Sequence, residues 1–275
     1  MFKIMIKILT VPKVYETTVL DRPSKSIKSP YLADIVDPIT KETVLAHTPA
    51  LGCCGLIVSG SKVIVVAKNT KAKSKYSIDF VVDEKKYLIG VNPMYANTLV
   101  RNMIELKLIR GLTKLDSLKA EYKYECCRFD FFGTINTEKV YIEVKNVPLA
   151  DYCDCNKKEK KKMDLSKYKY NEKIAIFPDG YRKNQNEPVS PRALKHLQNM
   201  IKLVKNNKCY MIYIVQRRDI TSFTPTVLDQ IYRKAFIEAM NSGVIIKVYK
   251  IIWKKNIAYF GGEIPISLGD SNEIG

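Results

Sequence analysis

Histidine is nearly absent from this chain, with two among 275 residues. Cysteine occurs seven times, as Cys53-Cys54, Cys126-Cys127, Cys153-x-Cys155 and a single Cys209, and never as Cys-x-x-Cys. So few imidazoles and no such spacing exclude a structural zinc site. The odd count argues against a disulfide framework and predicts free thiols in a reducing compartment. No apolar run approaches the ~20 residues that cross a bilayer. Lys3 and Lys7 interrupt the N-terminal apolar stretch, and no small-residue cleavage site follows, which excludes a signal peptide. Phe2, Ile4, Ile6 and Ile8 alternate with more polar positions and predict a strand. Together these absences predict a soluble, intracellular chain with no membrane partner.

Acidic residues are also scarce. Lys and Arg number 46 against 28 Asp and Glu, a net charge of +18. Hydrophobic content of 46% is that of a soluble globular protein, so the charge is the exceptional quantity. Such an excess suits a polyanionic partner, with DNA first and RNA second. The competing explanations are a solubility surface and a lysine-rich codon bias.

The pattern changes near residue 92. Before it, short β-prone runs at Tyr31–Val36, Leu56–Val58, Lys62–Ala67, Ser77–Val82 and Tyr87–Val91 predict a small barrel. Lys68 to Lys75 reads as a basic loop, either touching phosphate or simply solvated. After Asn92-Pro93, apolar residues at Tyr95, Leu99, Met103, Leu106 and Ile109 predict a helix ending at Gly111. Strands follow at 117–124, 127–132 and 140–147. Residues 156–173 hold eight lysines and three acids and read as a mobile lysine-rich insertion, within a wider break at 151–173. Ser190-Pro191 is an N-cap and first-turn pair for a helix with an apolar stripe at Leu194, Leu197, Ile201 and Val204. A buried strand at 209–215, a helix at 225–241 with Leu228, Tyr232, Phe236 and Met240 on one face, and a strand at 244–253 complete the series. The fold expected is α/β (α+β): a β-barrel over 1–91, then an αβββαβ domain over 92–275.

The chemistry concentrates in Arg128-Phe129-Asp130-Phe131-Phe132 and Tyr141-Ile142-Glu143-Val144-Lys145. Strand alternation puts Glu143 and Lys145 on one face and Val140, Ile142 and Val144 on the other. Phe129 and Phe131 make an apolar face opposite Asp130. A hairpin turn between Gly133 and Lys139, with Asn136 at its tip, would bring Asp130 to Glu143 and Lys145 on a wet face. Two carboxylates and an ammonium there suit a divalent metal and a water to be activated. Asp followed by Glu-x-Lys on adjacent strands resembles the PD-(D/E)XK nuclease core. Pro178-Asp179 comes after Glu143-x-Lys145, in the wrong order to belong to it.

Beyond that motif, the chain resembles the sugar fermentation stimulation protein family, SfsA, over about residues 20 to 255. The resemblance is carried in order by Tyr31-Leu32-Ala33-Asp34, His47-Thr48-Pro49, Asn92 with Ala96-Asn97, Leu118 to Tyr124, Arg128-Phe129-Asp130-Phe131, Tyr141 to Val147, Phe177-Pro178-Asp179, Arg192 with Lys195-His196-Leu197, Phe223-Thr224-Pro225 and Gly243-Val244. It implies an OB-like barrel followed by a PD-(D/E)XK nuclease-like domain. It also implies DNA binding, with a role proposed in sugar (maltose) regulation. By position it implies a catalytic set of Asp130, Glu143 and Lys145 with Glu121 auxiliary, and Mg²⁺ or Mn²⁺ on Asp130 and Glu143. Arg128, Arg192, Lys195 and His196 would contact nucleic acid. The chain departs from the family where Ala50-Leu51-Gly52 replaces the usual Asn-Thr-Gly, in the expanded 151–175 loop, and in an insertion at about 182–189.

Overall fold

The computed structural model describes residues 5–50, 52–68, 73–125, 127–180, 184 and 186–269. Parts of the segments read above as the N-terminal strand, the Lys68–Lys75 loop and the 182–189 insertion lie outside these residues. The backbone divides into two units. The first comprises Met1–Leu99, Gln216–Arg218 and Ile251–Gly261, and the second Val100–Val215, Asp219–Lys250 and Gly262–Gly275.

The first unit is built from β1 (Lys7–Thr10), β2 (Val14–Asp21), β3 (Leu32–Val36), β4 (Thr43–His47), β5 (Lys62–Ala67), β6 (Tyr76–Val82) and β7 (Leu88–Gly90). Strands pair in the order β4-β3-β2-β5-β6, and β6 returns to β4 through Ala46↔Tyr76 and His47↔Ser77. The five strands thereby form a closed circuit, which removes exposed sheet edges. Val19, Ala33, Ile35, Val63, Val65 and Ile78 alternate inward to fill it. β2 and β4 were not legible in the sequence, because Thr, Glu and His interrupt their apolar alternation. Leu56–Val58 is not a strand; it follows a short 3-10 turn at Gly52–Gly55.

The chain continues through α1 (Met94–Glu105), β8 (Ser117–Tyr124), β9 (Cys127–Ile135), β10 (Glu138–Asn146), β11 (Ala150–Asp151), α2 (Lys157–Lys162) and β12 (Lys173–Phe177). Then come α3 (Pro191–Leu203), β13 (Lys208–Val215), β14 (Ile220–Pro225), α4 (Gln230–Asn241), β15 (Ile245–Lys254) and β16 (Ile257–Glu263). In the second unit β10 pairs antiparallel with β9 and parallel with β13, which pairs parallel with β15. β8 continues the sheet beyond β9. β11, β12 and β14 form a separate small sheet. This is the mixed α/β class expected.

Three sequence expectations change. The lysine-rich insertion is not structureless: Asn156 caps α2 by accepting from the Lys158 and Glu159 N–H groups, and Glu159 reciprocates. Pro225 ends a strand instead of opening a helix, and α4 starts only after its N-cap Asp229. Leu228 thus lies ahead of the helix and is exposed, as is Met240 in its last turn, while Tyr232 and Phe236 are buried as expected. Cys153 and Cys155 are joined in a disulfide, against the expectation of free thiols. Cys209 is a buried thiol whose pKa burial pushes up to about 12, which makes it inert.

Candidate active site

The β9–β10 hairpin positions the carboxylates. Its turn is tighter than the sequence suggested: Ile135 pairs with Glu138, and Asn136 and Thr137 have φ of 47° and 73°. Two left-handed residues match the turn twist to the strands, and Asn tolerates that conformation. Gly133 is required where β9 meets β8, because a Cβ there would lie 2.2 Å from the Ser117 carbonyl oxygen. The ladder reaches Ile142↔Phe131, so Asp130 and Glu143 are the next residues across the two strands. Asp130 Oδ2 accepts the Val144 N–H at 2.8 Å, fastening the strands beyond that pair.

Val140, Ile142 and Val144 are buried as alternation required. The opposite face, expected to be wet, is buried as well. Glu143 is only 2% exposed and Tyr141 1%. β10 lies between β9 and β13, and its Glu143 side shares a core with Met211 and Tyr213 of β13, Ala193, Leu197 and Met200 of α3, and Tyr232 and Phe236 of α4. Strand alternation gives the side of a residue; it does not say whether a helix covers that side.

Glu143 stays ionised there because of its partners. Lys145 Nζ and His196 Nδ1 both bond its Oε1, with Nδ1 donating because a carboxylate only accepts. Lys145 Nζ lies 3.1 Å from the same ring nitrogen. Burial raises the Glu143 pKa, but the His196 bond and the Lys145 charge outweigh it, leaving the pKa below the usual carboxylate range. Among buried side-chain atoms of the described residues, Glu143 Oε2 has no hydrogen-bond partner.

α3 delivers the basic groups. Ser190 caps it by accepting from the Ala193 N–H, and Pro191 fills the first turn, as the sequence indicated. Ala193, Leu197 and Met200 anchor the helix in the core, which leaves Arg192 and Lys195 exposed. A cavity of about 240 Å³ is lined by Cys127, Arg128, Arg192, Lys195, His196 and Asn199. The four residues expected to contact nucleic acid thus share one cavity, and His196 joins its wall to Glu143. Glu121 is exposed and forms an ion pair with Arg128 at 2.8 Å. The sequence reading did not foresee Asn199, which donates to Cys127 Sγ at 2.7 Å. Its position one turn beyond Lys195 on α3 was the available signal.

The family model described as Sugar fermentation stimulation protein RE domain, SfsA, matches residues 94–256, more than half of the chain. The chain belongs to the SfsA family. A sugar fermentation stimulation protein homolog of Pelagibacter ubique is 30% identical over 225 residues, covering 80% of this SfsA-family chain and 84% of the relative. The homolog of Acaryochloris marina is 30% identical over 221 residues, covering 78% and 79% of the two chains. The structure of Pyrococcus furiosus SfsA in complex with Ca²⁺ superposes with a TM-score of 0.75 at 16% identity, covering 96% of this chain and all of that one. At that identity the likeness establishes the shared fold. No helix among the described residues is long and apolar enough to cross a membrane.

Proposed function

We propose that this SfsA-family protein is a nucleic-acid-binding, metal-dependent phosphodiesterase. The observation that carries the reading is Glu143: a buried, ionised carboxylate with one unpartnered oxygen, bonded through His196 to the wall of a cationic cavity. A buried polar atom without a partner costs about 1–3 kcal/mol, a cost that a cation on that oxygen would offset. The donors fit a hard divalent cation, Mg²⁺ or Mn²⁺, held by Glu143 and Asp130. Among the described residues no group of three or more His, Cys, Asp or Glu is placed to hold a metal. Mg²⁺ commonly binds through one or two carboxylates, with water and substrate phosphate completing its shell, so two acids suffice. Pyrococcus furiosus SfsA, of the same fold, was determined with Ca²⁺, which supports an oxygen-ligand cation site here.

When bound, such a cation polarises a phosphoryl oxygen and favours a deprotonated water. The chain's own groups do the rest. Lys145, 13% exposed and held by Glu143, orients the attacking water and offsets negative charge as it develops. Arg192 and Lys195 bind phosphate near the N-terminus of α3, where free N–H groups add to the attraction. Glu121, close to Arg128, would act as an auxiliary acid. A second reading is a nucleic-acid-binding regulator without turnover. The Asp130–Val144 bond favours it, because that carboxylate already has a structural task.

The test is purified protein incubated with single- and double-stranded DNA and RNA, in Mg²⁺, Mn²⁺ or EDTA, and followed on gels. Cleavage in either metal and none in EDTA is expected, with binding that weakens steeply as salt rises. Salt-sensitive binding without cleavage in either metal would leave the second reading.

A further inference from the structure

The cavity beside Glu143 is smaller and more one-signed than general polyanion binding requires. At about 240 Å³ it falls below the ~300 Å³ at which ordinary small-molecule pockets begin. It has room for a phosphate and part of a sugar, and a duplex cannot enter it. Its six lining residues include Arg128, Arg192, Lys195 and His196, and no carboxylate. Among the described residues Arg192 and Lys195 have no acidic partner. Arg128 gives its Nε to Glu121 in an ion pair whose side chains are 58% and 53% exposed. Such exposed pairs are weak and readily exchanged for a stronger anion. Two guanidinium groups match the oxygens of a phosphate in paired bonds, while a lysine adds a point charge.

Charge decides which phosphate this cluster fits. An internal phosphodiester carries a single negative charge; a phosphomonoester near neutral pH carries about −1.5 to −2 and has three strong acceptor oxygens. Three permanent cations around a small concavity match the second better. We infer that the Arg128–Arg192–Lys195 cavity binds the terminal phosphomonoester of a nucleic-acid strand. This deepens the phosphodiesterase reading and rests on it for its nucleic-acid partner. A strand held by its end would present linkages near that end to Glu143 and Lys145, so cleavage would begin from the terminus.

The test is binding in EDTA, where no cleavage can occur, by fluorescence anisotropy. The probes are short single strands of one sequence: with a 5′-phosphate, with a 3′-phosphate, with hydroxyls at both ends, and a hydroxyl-ended strand one nucleotide longer. The longer strand matches the number of phosphates. One phosphate-ended strand is expected to bind about ten-fold tighter than both hydroxyl-ended strands. Arg192→Ala combined with Lys195→Ala should erase that preference at an unchanged melting temperature, since both side chains are exposed. Equal affinity for all four strands, or a preference that survives the double variant, would overturn the inference. So would a nucleoside monophosphate that binds as tightly as the strand, which would make the ligand a free nucleotide. A protein that cleaves in Mg²⁺ without end preference would sink this inference alone; end preference without cleavage would sink only the phosphodiesterase reading.

Discussion

His196 donates its Nδ1–H to Oε1 of Glu143, across 53 positions of sequence. The bond ties the cationic helix α3 to the central strand β10. It also fixes which carboxylate oxygen is occupied: Oε1 takes both His196 and Lys145, and Oε2 remains without a partner. A single helix thus packs the core, lines the cavity and orients the acid.

Removing the acid should separate chemistry from binding. Glu143→Gln keeps the size of the side chain but not its charge. Metal-dependent cleavage is expected to fall by about 100-fold or more, the scale of losing one transition-state contact. Affinity for DNA in EDTA should stay within a few-fold, because the lining of the cavity is untouched. Asp130→Asn should behave likewise, with an added loss of stability from its weakened hold on Val144. Single-turnover assays and salt titrations check both; cleavage that persists in both variants would end the nuclease reading.

His196→Ala should destabilise the protein as well as impair it. It strips one partner from a carboxylate that is 2% exposed, leaving Lys145 alone to hold it. The expected cost is about 1–3 kcal/mol in urea unfolding. His196→Gln, which can donate to the same oxygen, should recover part of that loss. A neutral His196→Ala variant would mean that the bond contributes nothing to folding.

Acid sensitivity has a defined source in the first unit. Asp37 is fully buried and accepts from the Ile39 and Thr40 N–H groups, from Lys75 and from the Tyr76 hydroxyl. Burial raises its pKa, yet these donors together lower it to about 2. A folded pKa below the unfolded value means stability that is present above about pH 4 and lost as pH falls through about 2. Asp37→Asn should lower stability at neutral pH and flatten its pH dependence across that window. Urea midpoints measured at several acid pH values check this; an unchanged slope would remove Asp37 as the source.

The lysine-rich segment should be dispensable for folding. No residue of α2 is buried, and its Lys160–Asp151 pair is partly exposed. Deleting residues 156–172 should change the melting temperature by a few degrees at most, since isolated surface pairs are weak. Nucleic-acid affinity should drop modestly, with a shallower salt dependence as cations are lost. A deletion that unfolds the protein would show that the small β11-β12-β14 sheet depends on this connection.

The periodicities that depend only on nearest neighbours were readable. Alternation in Val140 to Lys145, Asn136 at the tip of its turn, and Ser190-Pro191 ahead of an apolar stripe all locate elements by local sterics and hydrogen bonding. The basic helix start and the Asp, Glu-x-Lys order were readable as well, as were the cationic excess and the family resemblance. β2, β4, β14 and β16 were not: polar residues interrupt the alternation of β2, β4 and β14, and Gly261-Gly262 weaken that of β16. The burial of Glu143 was hidden for a related reason. Alternation assigns a side chain to a face, while its dryness depends on α3 and α4, which begin some fifty to ninety residues later. The sequence by itself determined which strand carries the acid and which helix carries the cations. Only the tertiary structure decided that they meet through His196, because desolvation and a long-range hydrogen bond are properties of packed elements and not of either segment alone.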